Sequence, residues 1–156
     1  AYMPQQNIAH AMTALMAQNK GAKKTDRIKA AFRCGMKIEL FYGIFIFFVC
    51  FFLAHPLMQL FSNDPVVCKH GVTYLKLISL MYLFPAVTNG VQGYFRGIGD
   101  LKITLISSFV NMSVRVIFAA VLVFHFSLQI EALPFSYLAG WIGMLLAEVP
   151  LLLRKF

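Results

Sequence analysis

Residues 101–126 read LKITLISSFVNMSVRVIFAAVLVFHF. Apolar side chains dominate, yet Thr104, Ser108, Asn111 and Arg115 recur at intervals of 4, 3 and 4, which sets them on one face of a helix. At 1.5 Å per residue such a run makes about 38 Å of helix, enough to cross a bilayer core of about 30 Å with some tilt. A helix that only anchored a protein would have no use for polar residues at that depth. The stripe therefore predicts a bundle with a polar or wet interior, which points to transport.

Working outward, three more apolar runs of similar length appear: Leu40–Phe61, Gly71–Phe95 and Ala132–Leu153. The chain is 60% hydrophobic and 13% charged, with 16 Phe, so a soluble globule would be left with large exposed apolar patches. The expected fold class is all-α: a polytopic integral membrane helix bundle with four full transmembrane helices. A partial fifth precedes them, because Ala1–Asn19 is apolar but carries Gln6, His10, Thr13 and Ala17 at helical spacing. The chain opens on Ala inside that helix, which predicts that it is the later part of a longer polypeptide.

The net charge is +8, but its placement speaks for topology rather than for nucleic acid. Seven of the 14 Lys and Arg lie from Lys20 to Lys37. Four crossings bring Arg96, Lys102, Arg154 and Lys155 to the same side. The opposite links, Ser62–His70 and Ser127–Glu131, hold Lys69 alone. This is the positive-inside pattern, with the basic loop and the C-terminus cytoplasmic and the protein multi-pass in the cell's inner (plasma) membrane. Contact with anionic lipid is expected, and no nucleic acid partner.

Three segments follow from this layout: residues 1–19 as the end of a membrane helix, 20–37 as a basic loop, and 38–156 as the four-helix segment. Asn19 and Gly21 suit a helix C-terminus. Within the loop, Thr25–Met36 reads as a short amphipathic surface helix, capped by Thr25 and with Ile28, Phe32 and Met36 on its apolar side. Ser62-Asn63-Asp64-Pro65 and Phe95-Arg96-Gly97-Ile98-Gly99-Asp100 carry turn chemistry.

The stripes supply the candidate lining of a substrate cavity: Tyr82, Asn89 and Gln92 on the second span, Asn111 and Arg115 on the third, and Trp141 on the last. Each has a plainer alternative. Arg115 lies about 20 Å from the cytoplasmic end, where lipid exposure costs at least about 2.5–3.5 kcal/mol, so it faces protein or water as a structural or an electrostatic group. Asn89 and Gln92 line a cavity or bond a neighbouring helix, worth about 0.6 kcal/mol each. Trp141 stacks on a ligand or simply packs. Pro85 predicts a kink in the second span.

Glu148 is expected near the interface with Arg154 or Lys102. Ser136, Gly140, Gly143 and Ala147 form a small-residue seam, and Gly93 and Gly97 a close-packing pair. Cys34, Cys50 and Cys68 have no disulfide or metal-ligand pattern. No nucleophile–base pair emerges either, so no enzyme, no catalytic or metal site and no cofactor other than a coupling ion is expected.

With that layout in place, several segments resemble one family. Ala17-Gln18-Asn19-Lys20-Gly21-Ala22 at a helix exit, Leu60-Phe61-Ser62-Asn63-Asp64-Pro65 at an external turn, and Gly93-Tyr94-Phe95-Arg96-Gly97-Ile98-Gly99-Asp100 followed by Val114-Arg115 are similar to multidrug and toxic compound extrusion (MATE) transporters. The resemblance implies helices eight to twelve of twelve, within the second of two six-helix lobes around a central cavity. It also implies H⁺- or Na⁺-coupled export of small cationic or amphipathic drugs, with the remaining helices as partners. In one respect the sequence departs: Leu83–Gly90 lacks the acidic coupling residue some members carry there, and Pro85 stands near its position. Two other readings stay open: a lipid-linked oligosaccharide flippase of similar layout, favoured by a cationic cavity, and a small structural protein oligomerising through the Ser136–Ala147 seam.

Overall fold

The computed structural model describes residues 2–126 and 132–155. The expected Ser127–Glu131 link lies outside the described residues. Those residues form α1 (Tyr2–Gly21), α2 (Thr25–Phe52), α3 (Ala54–Gln59), α4 (Pro65–Met81), α5 (Leu83–Gly97), α6 (Leu101–Phe126) and α7 (Ala132–Leu153). Three of them, α2, α6 and α7, are long and apolar enough to cross a membrane, and α4 with α5 makes a fourth span bent by 48°.

Proline places two of the breaks. A proline lacks the N–H for the carbonyl four residues earlier, and its ring crowds that carbonyl. For Pro85 that residue is Met81, where α4 ends; for Pro56 it is Phe52, where α2 ends. The kink expected at Pro85 is therefore a true break at Tyr82, whose N–H turns to the Ser79 carbonyl at 3.1 Å instead. Likewise, the first span does not run on to Phe61: it stops at Phe52, and α3 follows as a separate short helix. The Asp64-Pro65 turn is a helix start. The Asp64 carboxylate accepts from the Val66 and Val67 N–H groups at 2.8 and 3.3 Å, and Pro65 occupies the first helical turn, where no donor is needed.

Thr25–Met36 is not a separate surface helix. It forms the first turns of α2, with Thr25 the first helical residue and Lys24 at the cap position. No proline interrupts the run, and Ile28, Ala31, Gly35, Glu39, Gly43 and Ile46 continue one buried face across the supposed boundary. Its outer face carries Phe41, Phe45, Phe48 and Phe52, all exposed, as the Phe-rich composition predicts for a lipid-facing surface. The exposed Leu105, Phe109, Val116 and Ile117 give α6 a similar apolar face.

Helix α1 buries a face other than its Gln6–His10 stripe. Gln5, Ala9, Met12 and Met16 are buried, while Gln6 and His10 are exposed. The face is fixed by α5, whose Gly93 and Gly97 let the two backbones approach: a Cβ at Gly93 would sit 2.9 Å from the Ala9 carbonyl oxygen, and one at Gly97 3.0 Å from that of Thr13. The Thr13 hydroxyl donates to the Gly93 carbonyl at 3.2 Å across this contact. Around it lies the core of Met12, Met16, Ile28, Ala31, Val91, Tyr94 and Phe95.

At the basic end α5 closes on Gly99, whose φ of +78° is the left-handed conformation glycine adopts freely. The Gly99 N–H bonds the Arg96 carbonyl at 3.0 Å and the Asp100 N–H that of Phe95 at 2.8 Å, the paired pattern that ends a helix cleanly. Lys20 donates to the Ile98 carbonyl and Lys155 pairs with Asp100, so α1 and the end of α7 both hold this turn.

Close packing at Gly93 gives a direct test. Gly93→Ala places a methyl group against backbone rather than against a movable side chain, and should cost about 1–3 kcal/mol of stability. Gly21→Ala, with no atom within 4 Å of its added Cβ, should cost nothing measurable. Thermal unfolding in detergent compares the two variants, and equal midpoints would refute the α1–α5 contact.

Candidate functional site

The bend at Tyr82 opens a cavity of about 570 Å³ bounded by α4, α5, α6 and α7. All six side chains expected from the stripes lie on its wall: Tyr82, Asn89, Gln92, Asn111, Arg115 and Trp141. The α5 members recur by helical spacing along one face, and Pro85 and Thr88 share that wall. Ser108 and Arg115 flank Asn111 on α6 in the same way. The stripes on separate helices thus converge on one space.

Polar contacts tie the walls together. Gln92 Nε2 donates to Ser108 Oγ at 3.2 Å, joining α5 to α6. Asn111 Nδ2 approaches Met144 Sδ at 3.2 Å, joining α6 to α7. Two other polar side chains of these spans are elsewhere. Ser79 is buried and donates to the Lys76 carbonyl at 2.8 Å, while Thr104 lies outside the cavity lining, its carbonyl accepting from Ser107.

Arg115 is held on two sides by α7. Its aliphatic stem crosses Gly140, where any Cβ would come within 2.8 Å of Arg115 Cδ. Its guanidinium carbon lies 3.7 Å from the centroid of the Tyr137 ring, a face-on cation–π contact. Tyr137 and Trp141 in turn have ring centroids 5.7 Å apart. Gly143 packs on Val114 and Val110. The small-residue seam of α7 is therefore filled by α6 within the chain, which withdraws it as a surface for self-association.

Sequence reasoning missed Tyr74 and Tyr137 as lining residues. Tyr74, Ile78, Tyr82 and Pro85 follow helical spacing, but the break between α4 and α5 hides that they share one face. Glu148 was misplaced: it is fully buried, with Ser107, Gln92 and Arg96 as its polar surroundings, not Arg154 or Lys102. It stands one turn beyond Met144 on α7, and so directly behind the cavity wall. Among the described lining residues the charged group is Arg115, and no carboxylate joins it.

The chain matches the MatE family model over residues 1–121. A probable multidrug resistance protein NorM of Thermotoga maritima is 26% identical over 146 residues, covering 93% of this chain and 30% of that protein. The lipid II flippase MurJ of Bacillus subtilis is 29% identical over 105 residues, 64% of this chain and 19% of that one. A solved structure described as the inward-facing conformation of a multidrug resistance MATE family transporter superposes with a TM-score of 0.81 at 17% identity, over 94% of this chain and 34% of that one. The chain thus spans about a third of the length of that NorM protein and of that solved transporter, and the fold agrees along nearly all of it.

Accessibility checks the wall. With Cys34, Cys50 and Cys68 replaced by Ser, a charged, membrane-impermeant thiol reagent should modify cysteine placed at Ser108 or Asn111. The same reagent should leave Phe109→Cys and Val116→Cys unmodified, because these point to lipid. Equal modification of all four positions would show that no aqueous cavity exists here.

Proposed function

Because the chain belongs to the MatE family, we propose that it builds one wall of the central cavity of a cation-coupled multidrug antiporter that works by alternating access. The observation that carries this reading is the convergence of six membrane-embedded polar and aromatic side chains from three helices on a single cavity. Such groups are expensive at that depth unless they face water, protein or a ligand. A relative that aligns with 93% of this chain is named for multidrug resistance.

In this reading the substrate enters a space lined by amides and aromatic rings. Asn89, Gln92 and Asn111 offer hydrogen bonds of either sense, and Tyr82 and Trp141 offer flat faces to rings of different shape. That combination suits many amphipathic molecules. It supplies no countercharge for an organic cation, so the expected attraction for cationic drugs would come from other helices of the transporter. The coupling ion, H⁺ or Na⁺, likewise binds away from Leu83–Gly90, a stretch that holds no acidic side chain. The protein would reside in the plasma membrane with its basic end towards the cytoplasm.

The test uses the native gene product in a host lacking its own efflux pumps, with ethidium as the dye. Asn89→Ala and Trp141→Ala should each slow efflux about fivefold, the loss of about 1 kcal/mol of substrate contact, while the protein remains in the membrane fraction. Collapsing the proton and sodium gradients in turn identifies the coupling ion. Unchanged efflux in both variants would overturn the lining assignment, and lipid flipping without dye efflux would favour the flippase instead.

A further inference from the structure

Arg115 is the one lining group that the transport reading leaves without a task. Its surroundings are built to hold it. Gly140 leaves room for the stem, and the guanidinium carbon sits over the Tyr137 ring at 3.7 Å. A guanidinium carries its five N–H donors in its own plane, so a face-on contact uses none of them. Among the described residues the group makes no ion pair. Arg115 lines the cavity, and no carboxylate stands among the described lining residues.

A planar fork of donors, stacked on one face and open along its edge, matches the geometry of an oxyanion. Simple filling of space would not require a cation at this depth, since a Leu or Met would fill it without the desolvation cost. A purely structural Arg would spend its donors on carbonyls or acids, and among the described residues this one makes no ion pair. Aromatic faces stand nearby in the same space: Tyr74, Tyr82 and Trp141.

We propose that Arg115 binds the oxyanion, a carboxylate or phosphate, of an amphipathic substrate whose aromatic body lies among the Tyr74, Tyr82 and Trp141 rings. Tyr137 and Gly140 are positioning residues for that guanidinium. The wall therefore selects for molecules bearing a negative group, including zwitterions, rather than for simple cations. Transport of such a molecule rests on the antiporter reading; its binding does not.

The experiment measures equilibrium binding to the purified native gene product by fluorescence, with 9-anthracenecarboxylate, its methyl ester and ethidium as probes. The acid should bind about tenfold or more tighter than the ester, as a charge-assisted pair predicts. Arg115→Gln should abolish that preference while changing ester and ethidium affinity little. Arg115→Lys should restore only part of it, because an ammonium lacks the fork. Equal binding of acid and ester by the unmodified protein would overturn the proposal, as would an Arg115→Gln variant that weakens all three probes alike.

Repeating the titration in nanodiscs, with and without phosphatidylglycerol, separates the sources of the oxyanion. Competition by that lipid supports the site with lipid phosphate as its occupant. Acid preference without efflux of any probe would leave the site standing and the antiporter reading refuted. Ethidium efflux without acid preference would do the reverse.

Discussion

Pro85 has no hydrogen to give the Met81 carbonyl, and much of the structure turns on that missing bond. In lipid a helix that forfeits a backbone bond must recover it locally, because no water is at hand. Here the chain shifts to a tighter turn at Tyr82 and bends by 48°. The bend carries α4 away from the line of α5 and leaves between them, α6 and α7 the space into which the polar side chains point. A straight helix would place Tyr74, Tyr82 and Asn89 along one continuous stripe. The broken one wraps them around a volume.

What keeps that volume open is the stiffness of its α5 wall. On its other side α5 is packed backbone to backbone with α1 through Gly93 and Gly97, and α2 covers the pair. Small residues provide the attraction in a medium where lipid is as apolar as leucine, so close approach has to replace the hydrophobic effect. The same packing explains which face of α1 is buried. Ala9 and Met12 lie against Gly93, which forces Gln5 inward beside Gly43 and turns Gln6 and His10 out. The basic end is secured by the Gly99 turn with its Lys20 and Lys155 contacts. Helix α6 differs in kind: it packs chiefly on α7, and little of its span is fully buried. The cavity thus runs along the boundary between a tightly packed unit and a more loosely attached helix pair.

The sequence was most legible where one helix sufficed to interpret it. Spacing within α5, α6 and α7 identified Asn89, Gln92, Asn111, Arg115 and Trp141, since a polar side chain at mid-membrane depth has few places to point. Legibility failed where the answer lay between helices. Glu148 was assigned by depth to the nearest basic residues, yet depth says nothing of azimuth, and its own face of α7 looks at Ser107, Gln92 and Arg96. Thr25–Met36 looked like a surface helix because its charges are dense; its buried face, shared with Glu39 and Gly43, becomes visible only with α1 and α5 in place. The end of α1, by contrast, was legible: the helix stops at Gly21 as composition suggested, and the turn follows at Lys23 with a φ of 56°, where the Lys23 and Lys24 N–H groups cap the Lys20 and Asn19 carbonyls.

The placement of charge gives the cavity its character. Among the described residues, Glu39 and Glu148 are acidic side chains set well inside the spans, and both are fully buried away from the cavity lining. Glu39 is enclosed on the α2 face that meets α1 and α5, and Glu148 stands behind the wall. Arg115, by contrast, is presented to the cavity, in a low-dielectric surround where one charge acts over a longer range than in water. Gln92 is the link between these regions, lining the cavity, bonding Ser108 and flanking Glu148. A ligand that displaced the Gln92–Ser108 contact would therefore touch α5, α6 and the surroundings of the buried acid at once. The positive field at Arg115 sets which end of an amphipathic molecule reaches that point first, and so the orientation in which this wall would receive it.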